Sequence, residues 1–385
     1  MKNIAVIGST GSIGKNTLEV VRHLKGSFRV VSLAAGTNID ILEKQIVEFE
    51  PLLATVSTSL LAKELEERLK GRGGYCPRIS SGEEGLVEAA SLQELDQVII
   101  AIVGMKALAP TVAAIDAGIA VGLANKEVLV SGGKMIMERA HLKGVSIIPI
   151  DSEHSALFQC LKNEETRSLR RIILTASGGP FKNLADHELD SVTVEDALKH
   201  PNWQMGPKVT IDSSTLVNKG LEMIEAFWLF NLKPEQIMVV IHPQSIIHSM
   251  VEWQDGSILA QMGEPTMIIP IQYAMTYPER KPGMLKPFDF TIKRQLDFFP
   301  PDVSKFPAVR LASFALETGK SIPCFMNACN EILVERFIKK EISWKNIVAM
   351  LEKLMESHQP IECDTIEKCL WVDQEARKEA RTIST

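Results

Sequence analysis

The sequence predicts an α/β protein with an N-terminal Rossmann-like parallel sheet, a central α+β catalytic domain and a C-terminal α-helical domain. Short apolar runs alternate with amphipathic helical stretches up to about residue 150, a pattern typical of a parallel sheet covered on both faces. Prolines then cluster between 265 and 307, and helical spacing dominates afterwards, as at Ile347, Leu351 and Leu354. The predicted boundaries are 1–150 for the dinucleotide domain, 151–265 for the catalytic domain, 266–305 for a proline-rich linker and 306–385 for the helical domain.

The elements of the first domain follow from hydrophobic patterning. A helix is predicted after the cap residue Asn38, with apolar residues at Ile39, Leu42 and Ile46. The predicted strands are residues 4–7, 30–34, 53–56, 98–103, 120–124 and 145–150.

The pattern changes after Asp151. Residues 172–175 form a predicted strand that leads into the turn 177–180, and a helix is predicted from about Ile211 to Phe230. Two further strands, 237–242 and 246–252, precede Asp255-Gly256, which is a hairpin signal. The proline-rich segment that follows is predicted to lack helix and strand interiors.

Composition excludes several classes of partner. The net charge of −6 gives no electrostatic basis for binding nucleic acid or an anionic membrane. The six cysteines include no Cys-x-x-Cys pair, which is typical of reduced thiols in a cytosolic protein. We expect a cytoplasmic protein, because a strand begins near residue 3 and no membrane-spanning segment is predicted.

A glycine-rich turn predicts a dinucleotide site. Gly8, Gly11 and Gly14 follow the first predicted strand and open a helix, where free N–H groups can hold a pyrophosphate. A purely structural turn is the alternative. No acidic residue stands at the tip of the second strand, where Thr37 and Asn38 follow, to bind a ribose hydroxyl, so NADP is favoured over NAD, although no basic residue is there either.

Three carboxylates predict a metal site. Asp151 and Glu153 follow the strand 145–150, and in an extended chain they would point the same way. With Glu222 they form an all-oxygen ligand set, which suits Mg²⁺ or Mn²⁺. The alternative for Asp151 and Glu153 is a solvated surface pair.

Polar residues around Glu222 predict a phosphate site. Asn218 and Lys219 share a helix face with Glu222. Ser213 and its neighbours at the predicted helix start, together with Ser177 and the backbone of Gly178-Gly179, could complete a phosphate cradle. An exposed ion pair and simple helix caps are the alternatives.

A polar loop near 200–208 predicts a lid. Trp203 in this loop is unusual for a core residue, and a mobile segment that covers a substrate would explain it. Two histidines, His200 and His248, are candidates for the same site, whereas His242 is assigned a structural role.

Seven motifs occur in the order found in the 1-deoxy-D-xylulose 5-phosphate reductoisomerase family, which the chain resembles over essentially its full length. They are Gly-Ser-Thr-Gly-Ser-Ile-Gly at 8–14, Ala-Asn-Lys-Glu at 124–127, Asp-Ser-Glu-His at 151–154, Ser-Gly-Gly-Pro-Phe at 177–181, His-Pro-Asn-Trp-x-Met-Gly at 200–206, Ile-Asp-Ser-x-Thr-x-x-Asn-Lys-Gly-Leu-Glu at 211–222 and His-Pro-Gln-Ser-x-Ile-His at 242–248.

The resemblance implies a role for each matching residue. Asp151, Glu153 and Glu222 would bind the metal, Mg²⁺ or Mn²⁺ with Co²⁺ as a further candidate, and with Lys126 they would form the catalytic set. Substrate contacts would come from Lys126, Ser152, Glu153, Ser177, His200, Trp203, Ser213, Asn218, Lys219, Glu222 and His248. NADPH contacts would come from Thr10, Gly11, Ser12, Ile13, Gly36, Thr37, Asn38, Asn125, Glu127 and Gly206. Met205 would belong to the lid.

The family's reaction rearranges 1-deoxy-D-xylulose 5-phosphate and reduces the resulting aldehyde with NADPH, giving 2-C-methyl-D-erythritol 4-phosphate for isoprenoid precursor biosynthesis. The resemblance also implies a homodimer and a small phosphorylated sugar as substrate. One position departs from the family's pattern, because many members carry a basic residue where this chain has Thr37.

Two other functions are compatible with parts of the sequence. One is a different NADP oxidoreductase, such as a semialdehyde or homoserine-type dehydrogenase, although no cysteine lies in an activated motif that an acylating dehydrogenase would need. The other is a regulatory protein that senses a nucleotide without catalysis, in which case three oxygen ligands would have no purpose.

Overall fold

The computed structural model describes residues 1–162, 164, 166–200, 202–203 and 205–384, with only the backbone at 166. Two compact units account for these residues. The first comprises residues 1–128, 136–155 and 267–287, and the second comprises residues 129–135, 156–266 and 288–385. Among the described helices, none combines the length and the apolar character that crossing a bilayer requires.

The strands and helices follow in chain order. The strands are β1 (Lys2–Ile7), β2 (Phe28–Ala34), β3 (Leu53–Val56), β4 (Arg78–Ser81), β5 (Gln97–Ile100), β6 (Ala120–Leu123), β7 (Ile147–Pro149), β8 (Leu169–Ala176), β9 (Ile237–Ile241), β10 (Ile247–Trp253) and β11 (Ile258–Met262). The helices are α1 (Ser12–His23), α2 (Ile39–Phe49), α3 (Ser59–Gly71), α4 (Gly82–Ala90), α5 (Leu108–Asp116), α6 (Glu127–Lys143), α7 (Ser152–Cys160), α8 (Val194–Ala197), α9 (Pro207–Ser214), α10 (Val217–Leu229), α11 (Ile268–Thr276), α12 (Ala308–Thr318), α13 (Ile322–Ile338), α14 (Trp344–Ser357) and α15 (Ile366–Thr382).

The first unit contains a seven-stranded sheet in the order β4-β3-β2-β1-β5-β6-β7, in which every pairing is parallel. The strands β3 and β5 are buried throughout, as expected when helices cover both faces. The strand order reverses between β1 and β5, and α/β folds bind ligands in the crevice beyond the carboxyl ends of strands at such a point. The predicted Rossmann-like sheet is confirmed.

Some strand bounds differ from the prediction. The strand predicted at 98–103 ends at Ile100, and the one predicted at 145–150 is reduced to Ile147–Pro149. The strand β4 was not predicted, because Arg78-Ile79-Ser80-Ser81 carries a single apolar side chain and so lacks a hydrophobic pattern.

The expectation that Asp151 and Glu153 lie in an extended segment was wrong. The strand ends at Pro149, and Ser152 begins α7. The Glu153 backbone N–H donates to Asp151 Oδ1 at 3.1 Å, and the Ser155 N–H donates to the Asp151 carbonyl at 2.8 Å. Asp151 therefore caps a helix, a role that aspartate commonly plays, and the alternation of strand side chains does not apply here.

The second unit contains a four-stranded sheet in the order β11-β10-β8-β9. The strands β8 and β9 are parallel, whereas β10 is antiparallel to both β8 and β11. The predicted hairpin between β10 and β11 is confirmed, and Gly256 supplies the left-handed conformation with φ of 87°. Because β8 and β9 are parallel, the residues that follow Ala176 and Ile241 leave the sheet at the same edge.

The helix predicted from about Ile211 to Phe230 is in fact two helices. The first, α9, ends at Ser214, and α10 begins at Val217. Leu216 between them has φ of 61°, a left-handed conformation that interrupts the helical hydrogen bonds. Ser213 consequently lies at the carboxyl end of a helix rather than at the start of one, as had been predicted.

The proline-rich segment also departs from the prediction that it lacks a helix interior. The helix α11 spans Ile268–Thr276, and its residues from Pro270 to Met275 are buried. Pro270 is the third residue of α11, so its missing N–H removes no helical hydrogen bond. Residues 267–287 belong to the first compact unit. The predicted domain boundaries stay a prediction.

The carboxyl-terminal part of the second unit is helical, as predicted. The helix α13 is buried along most of its length, and it packs against α12, α14 and α15. Ile347, Leu351 and Leu354, which carried the predicted spacing, are buried on α14.

Candidate active site

In the glycine-rich turn between β1 and α1, the glycines pack directly against other backbone atoms. Gly8 has φ of 101°, and a Cβ atom at Gly14 would lie 2.2 Å from the Gly8 carbonyl oxygen. Both positions therefore require glycine. Gln45 fixes the turn from α2, since its amide donates to the Ser9 carbonyl at 2.9 Å and accepts from the Ser9 hydroxyl at 2.7 Å.

At the start of α1, no side chain of a capping residue accepts a hydrogen bond from the backbone N–H groups. Gly11 occupies the cap position with no side chain, and Ser12 beside it is exposed. Thr10 and Ile13 are half-buried on either side. A helix start with uncapped N–H groups beyond a parallel strand is suited to an anionic pyrophosphate.

The tip of β2 is exposed and neutral. Gly36, Thr37 and Asn38 are all exposed, and the Asn38 side chain accepts from the Ile41 N–H at 3.1 Å as the cap of α2. Its carboxamide is therefore already engaged in local structure.

Asn125 and Glu127 are buried at the end of β6 and the start of α6. The Asn125 amide donates to the carbonyls of Ile102 and Gly104 at 2.8 and 3.1 Å, and its oxygen accepts from the Val128 N–H at 2.8 Å. Asn125 thus ties the ends of β5 and β6 together, which places the residues after both strands at the edge where a dinucleotide would lie.

Asp151 is the centre of a charged cluster in the first unit. Its Oδ2 atom lies 3.1 Å from the Lys126 ammonium nitrogen, and its Oδ1 atom lies 3.0 Å from Nδ1 of the fully buried His154. The side chains of Asp151 and Lys126 are only 15% and 13% exposed, so Asp151 is not a solvated surface residue. Ser152 donates its hydroxyl to the Glu153 carboxylate.

Three polar residues of α10 share one face, as the sequence predicts. The Asn218 amide donates to Glu222 Oε1 at 2.5 Å, and the Lys219 ammonium donates to Glu222 Oε2. The alternative of an exposed ion pair is wrong, because the side chains of Lys219 and Glu222 are only 4% and 2% exposed. Burying two charged groups costs free energy of desolvation, so this pair contributes little to folding stability. Its presence therefore indicates a functional role.

The opposite face of α10 packs on the helices α12 and α13. A Cβ atom at Gly220 would lie 3.1 Å from the Ala312 Cβ atom and 3.2 Å from the Ala308 carbonyl oxygen. The methyl group of Met326 lies 3.6 Å from the same point. Gly220 therefore allows α10 to approach α12 closely, and this contact fixes the position of Lys219 and Glu222.

Ser177 and His200 meet at the edge where β8 and β9 end. Ser177 Oγ lies 3.0 Å from His200 Nε2, and the Gly179 N–H donates to the same oxygen at 3.2 Å. His200 Nδ1 accepts from the backbone N–H groups of Asn202 and Trp203 at 3.2 and 2.9 Å.

These bonds fix the tautomer of His200. Burial and, as the smaller cause, the nearby Lys182 ammonium together lower the pKa of the imidazole to about 4. The ring is therefore neutral at pH 7, and its single proton lies on Nε2 because Nδ1 already accepts. Since Ser177 Oγ accepts from both Nε2 and Gly179, its own hydroxyl proton is left to donate to a ligand.

The turn after Ser177 presses on the end of α9. Gly179 has φ of 67°, and a Cβ atom there would lie 2.7 Å from the Ser213 carbonyl oxygen. Gly179 thus allows this turn to lie against the half-buried Ser213. The hydroxyl of neighbouring Ser214 is used elsewhere, because it donates to the Ile211 carbonyl at 2.7 Å and accepts from the Trp344 indole at 2.8 Å.

The predicted lid is anchored at its first half. Pro201 and Gln204 lie outside the described residues, while Trp203 and Met205 are half-buried and Gly206 is exposed at the start of α9. The centroids of the Trp203 and His248 rings are 6.4 Å apart, and His248 is buried on β10. Movement of the loop stays a prediction.

Two residues of this site were missed in the sequence. Asn202 donates to the Pro243 carbonyl at 2.7 Å and to the Ser245 hydroxyl at 2.9 Å, so it fastens the loop to the segment after β9. Lys182 supplies the positive charge near His200. A lone asparagine or lysine in a loop carries no pattern that would single it out, although Asn202 lies within the motif at 200–206 and Lys182 directly follows the motif at 177–181.

His242 has the structural role that was assigned to it. The fully buried ring lies 2.9 Å from the Asp297 carbonyl through Nδ1, and Nε2 accepts from the N–H groups of Ile246 and Ile247, both at 3.2 Å. All of its hydrogen-bonding capacity is used within the fold.

The predicted site residues divide between the two compact units. Those of the glycine turn, the β2 tip, residues 125–127 and Asp151 to Glu153 belong to the first unit. Ser177, His200, Ser213, the α10 residues, His248 and Gly206 belong to the second. Within the units the structure shows contacts between Lys126 and Asp151, between Ser177 and His200, and among Asn218, Lys219 and Glu222. A single ligand set of Asp151, Glu153 and Glu222 stays a prediction.

Three domain families match the chain. The match to 1-deoxy-D-xylulose 5-phosphate reductoisomerase covers residues 4–133, its C-terminal domain covers 147–230, and the DXP reductoisomerase C-terminal domain covers 262–379.

Curated relatives are similar over the whole chain. The 1-deoxy-D-xylulose 5-phosphate reductoisomerase of Protochlamydia amoebophila is 58% identical over 99% of this chain and 98% of the relative. That of Geotalea uraniireducens is 50% identical over 100% of this chain and 98% of the relative.

Two solved structures share the fold. The enzyme from Zymomonas mobilis in complex with NADPH has a TM-score of 0.93 at 40% identity, with 98% of each chain covered. A DOX-P reductoisomerase in complex with NADPH, fosmidomycin and magnesium has a TM-score of 0.94 at 38% identity, with 99% of this chain and 98% of that chain covered.

Proposed function

The chain belongs to the 1-deoxy-D-xylulose 5-phosphate reductoisomerase family, and from that premise we propose that it converts 1-deoxy-D-xylulose 5-phosphate to 2-C-methyl-D-erythritol 4-phosphate with NADPH and a divalent metal. The reaction supplies isoprenoid precursors. Membership at this identity over the full length leaves no support for a semialdehyde or homoserine-type dehydrogenase, or for a regulatory protein without catalysis.

The single observation that carries the proposal is the polar cluster of the second unit. Ser177 has a hydroxyl proton to donate, because neutral His200 and the Gly179 N–H occupy its acceptor positions. Lys219 brings a buried ammonium at the first turn of α10, whose N–H groups add positive potential. We assign the substrate phosphate to this cluster, with Ser213 and Asn218 as further donors.

Holding the phosphate serves catalysis at a distance. Binding energy from this non-reacting end of the substrate orients the carbon skeleton for the rearrangement. Fosmidomycin, bound in a solved relative, is consistent with an anionic substrate group in this family.

We assign the divalent cation to Asp151, Glu153 and Glu222. The donor set fits, because three largely buried carboxylates offer only oxygen ligands, which Mg²⁺ and Mn²⁺ prefer. When bound, such a cation supplies Lewis-acid polarisation of a substrate carbonyl. Lys126 holds Asp151 in place and presents an ammonium group to the substrate oxygens, while Ser152 orients Glu153.

We assign NADPH to the first unit. The glycine turn fits a dinucleotide, because Gly8 and Gly14 are in backbone contact and have no side chains that would cover the start of α1. When bound, the cofactor supplies the hydride that reduces the aldehyde. Closing Trp203 over the centre would exclude water from that aldehyde.

We also propose a homodimer in the cytoplasm. The strand β11 lies at the edge of its sheet, and Ile258 and Leu259 are 52% and 44% exposed there. An exposed apolar edge strand suits pairing with a second copy. Size-exclusion chromatography with light scattering at micromolar protein concentration would test the proposed dimer. A monomeric mass would reject it.

The activity is tested by the loss of NADPH absorbance with 1-deoxy-D-xylulose 5-phosphate, with and without Mg²⁺ and a chelator. We expect turnover that depends on all three components. Turnover of a semialdehyde in the presence of chelator, or no turnover of the phosphosugar, would overturn the proposal.

A further inference from the structure

Three cysteines that the proposed reaction does not use lie together in the helical part of the second unit. Cys324 is in the first turn of α13, Cys363 lies between α14 and α15, and Cys369 is in the first turn of α15. Their exposures are 1%, 9% and 0%.

The three cysteines are neighbours, with Cys363 between the other two. The Cys363 thiol interacts with the thiols of both Cys324 and Cys369. Cys324 Sγ also donates to the Cys369 carbonyl at 3.5 Å, and Cys369 Sγ lies 3.7 Å from the Cys363 carbonyl. Cys363 is therefore the central member of the cluster and the most accessible one.

The cluster does not suit a metal ion. A structural zinc site needs about four ligands that converge on one point. Among the described residues, the groups whose ligand atoms all lie within 4.8 Å of one another do not include these thiols. His358, the nearest histidine, is also engaged, since its Nε2 atom lies 2.8 Å from the Ser321 hydroxyl and its ring stacks on Phe325.

The surroundings favour ionisation of one thiol. Hydrogen bonds from Cys324 and Cys369 lower the pKa of Cys363, whereas those same bonds and burial raise the pKa of its two neighbours. A thiolate is the nucleophilic form of cysteine, so Cys363 is the reactive member. Cys329, which is also buried on α13, has a raised pKa because of desolvation and lies outside the hydrogen-bonded cluster.

We propose that Cys363 is a site of reversible oxidation, at which a small peroxide converts it to a disulfide with one of the two thiols that contact it. The Cys363 sulfur attacks hydrogen peroxide, the O–O bond breaks, and with one proton the products are a sulfenic acid and water. The neighbouring thiol then attacks that sulfur. An S–S bond forms, the S–O bond breaks, and the thiol proton leaves with the hydroxyl group as a second water.

Atoms and electrons balance over the two steps. The two cysteines lose two electrons in total, and these reduce one peroxide to two waters. A small oxidant is required because Cys363 is only 9% exposed. A disulfide in a cytosolic protein is usually transient or redox-sensing, which fits a bond that a cellular thiol could reduce.

The bond would constrain the segment between α14 and α15. A link to Cys324 would join that segment to α13, two residues before Met326, which lies against Gly220 of α10. A link to Cys369 would close the loop onto the start of α15 instead.

The test treats the folded, full-length protein with hydrogen peroxide and blocks remaining thiols with an alkylating reagent in denaturant. Mass spectrometry of the unreduced peptides then identifies the cross-links. We expect a Cys363–Cys324 or Cys363–Cys369 peptide that a dithiol reductant removes, and its loss in C363S. The matched control is C329S, which should keep the cross-link.

Two results would overturn the proposal. One is a wild-type protein whose Cys363, Cys324 and Cys369 all remain alkylatable while the half-exposed Cys76 and Cys160 oxidise. The other is a C363S protein that still forms a disulfide between Cys324 and Cys369. The wild-type measurement decides the question even if C363S does not fold.

Discussion

Replacing Gly14 with alanine tests whether backbone contact in the β1–α1 turn sets the dinucleotide site. The added Cβ atom would lie 2.2 Å from the Gly8 carbonyl oxygen and 2.5 Å from the Ser9 Cα atom. Both neighbours are backbone atoms, so no flexible side chain can move away. To reach the 3.4 Å at which ordinary contact begins, the turn must open by about 1.2 Å.

The size of the effect follows from this shift. Overpacking costs roughly 1–3 kcal/mol of folding stability, against about 1 kcal/mol gained from the better helix propensity of alanine. A shift of that size would also break at least one N–H bond to the pyrophosphate. A hydrogen bond to a charged group contributes about 1.5–3 kcal/mol, so the NADPH dissociation constant should rise roughly 10- to 100-fold.

The assay is fluorescence titration of NADPH together with thermal unfolding. Gly71→Ala is the matched control, because Gly71 ends α3 with nothing within 4 Å of its added Cβ atom. We expect this control to keep wild-type affinity and to be at least as stable as wild type. A G14A protein that binds NADPH within a factor of two of wild type and melts at the same temperature would refute the reasoning.

Three further predictions concern the proposed phosphate site, the proposed metal site and the dependence of stability on pH. Lys219→Ala should raise the KM for the phosphosugar roughly tenfold or more in steady-state kinetics, because a buried charge-assisted donor is lost. Glu153→Gln should lower the Mg²⁺-dependent kcat by about 100-fold or more and leave NADPH binding unchanged, because only a metal-ligand charge is removed. His200→Gln should flatten the fall in melting temperature between pH 6.5 and about 4. In that window the unfolded wild-type chain protonates His200 while the folded one, with a pKa of about 4, does not, so wild-type stability is lost as the pH falls.

Residues outside the assigned sites provide matched controls for these variants. Lys345→Ala should leave KM unchanged, since Lys345 pairs with Asp190 at the surface. Glu83→Gln should leave kcat unchanged, and His187→Gln should keep the wild-type pH slope. Unaltered KM in K219A, unaltered kcat in E153Q, or a wild-type slope in H200Q would each remove that residue from its assigned role.

Short-range patterns in the sequence predicted much of the fold. The alternation of apolar runs identified most of the parallel sheet, and Asp255-Gly256 located a hairpin correctly, because both depend on residues close in the chain. The same holds for the shared face of Asn218, Lys219 and Glu222, which follows from helical spacing alone.

Features that depend on tertiary contact could not be predicted in the same way. The break at Leu216 requires a left-handed conformation that leucine rarely adopts, so nothing local announces it. The burial of α11 despite Pro270 depends on packing within the first unit. The three clustered thiols are scattered over 46 positions of sequence between Cys324 and Cys369, and only the packing of α13 with α15 brings them together.

The glycine at 220 has a consequence for how the protein can be divided. With only hydrogen at that position, the acid-bearing helix rests directly on the backbone of α12. The last fifth of the chain therefore supports the helix that carries Lys219 and Glu222. A fragment that stops before residue 308 would expose the buried side of α10 to water and leave Asn218, Lys219 and Glu222 on an unsupported helix.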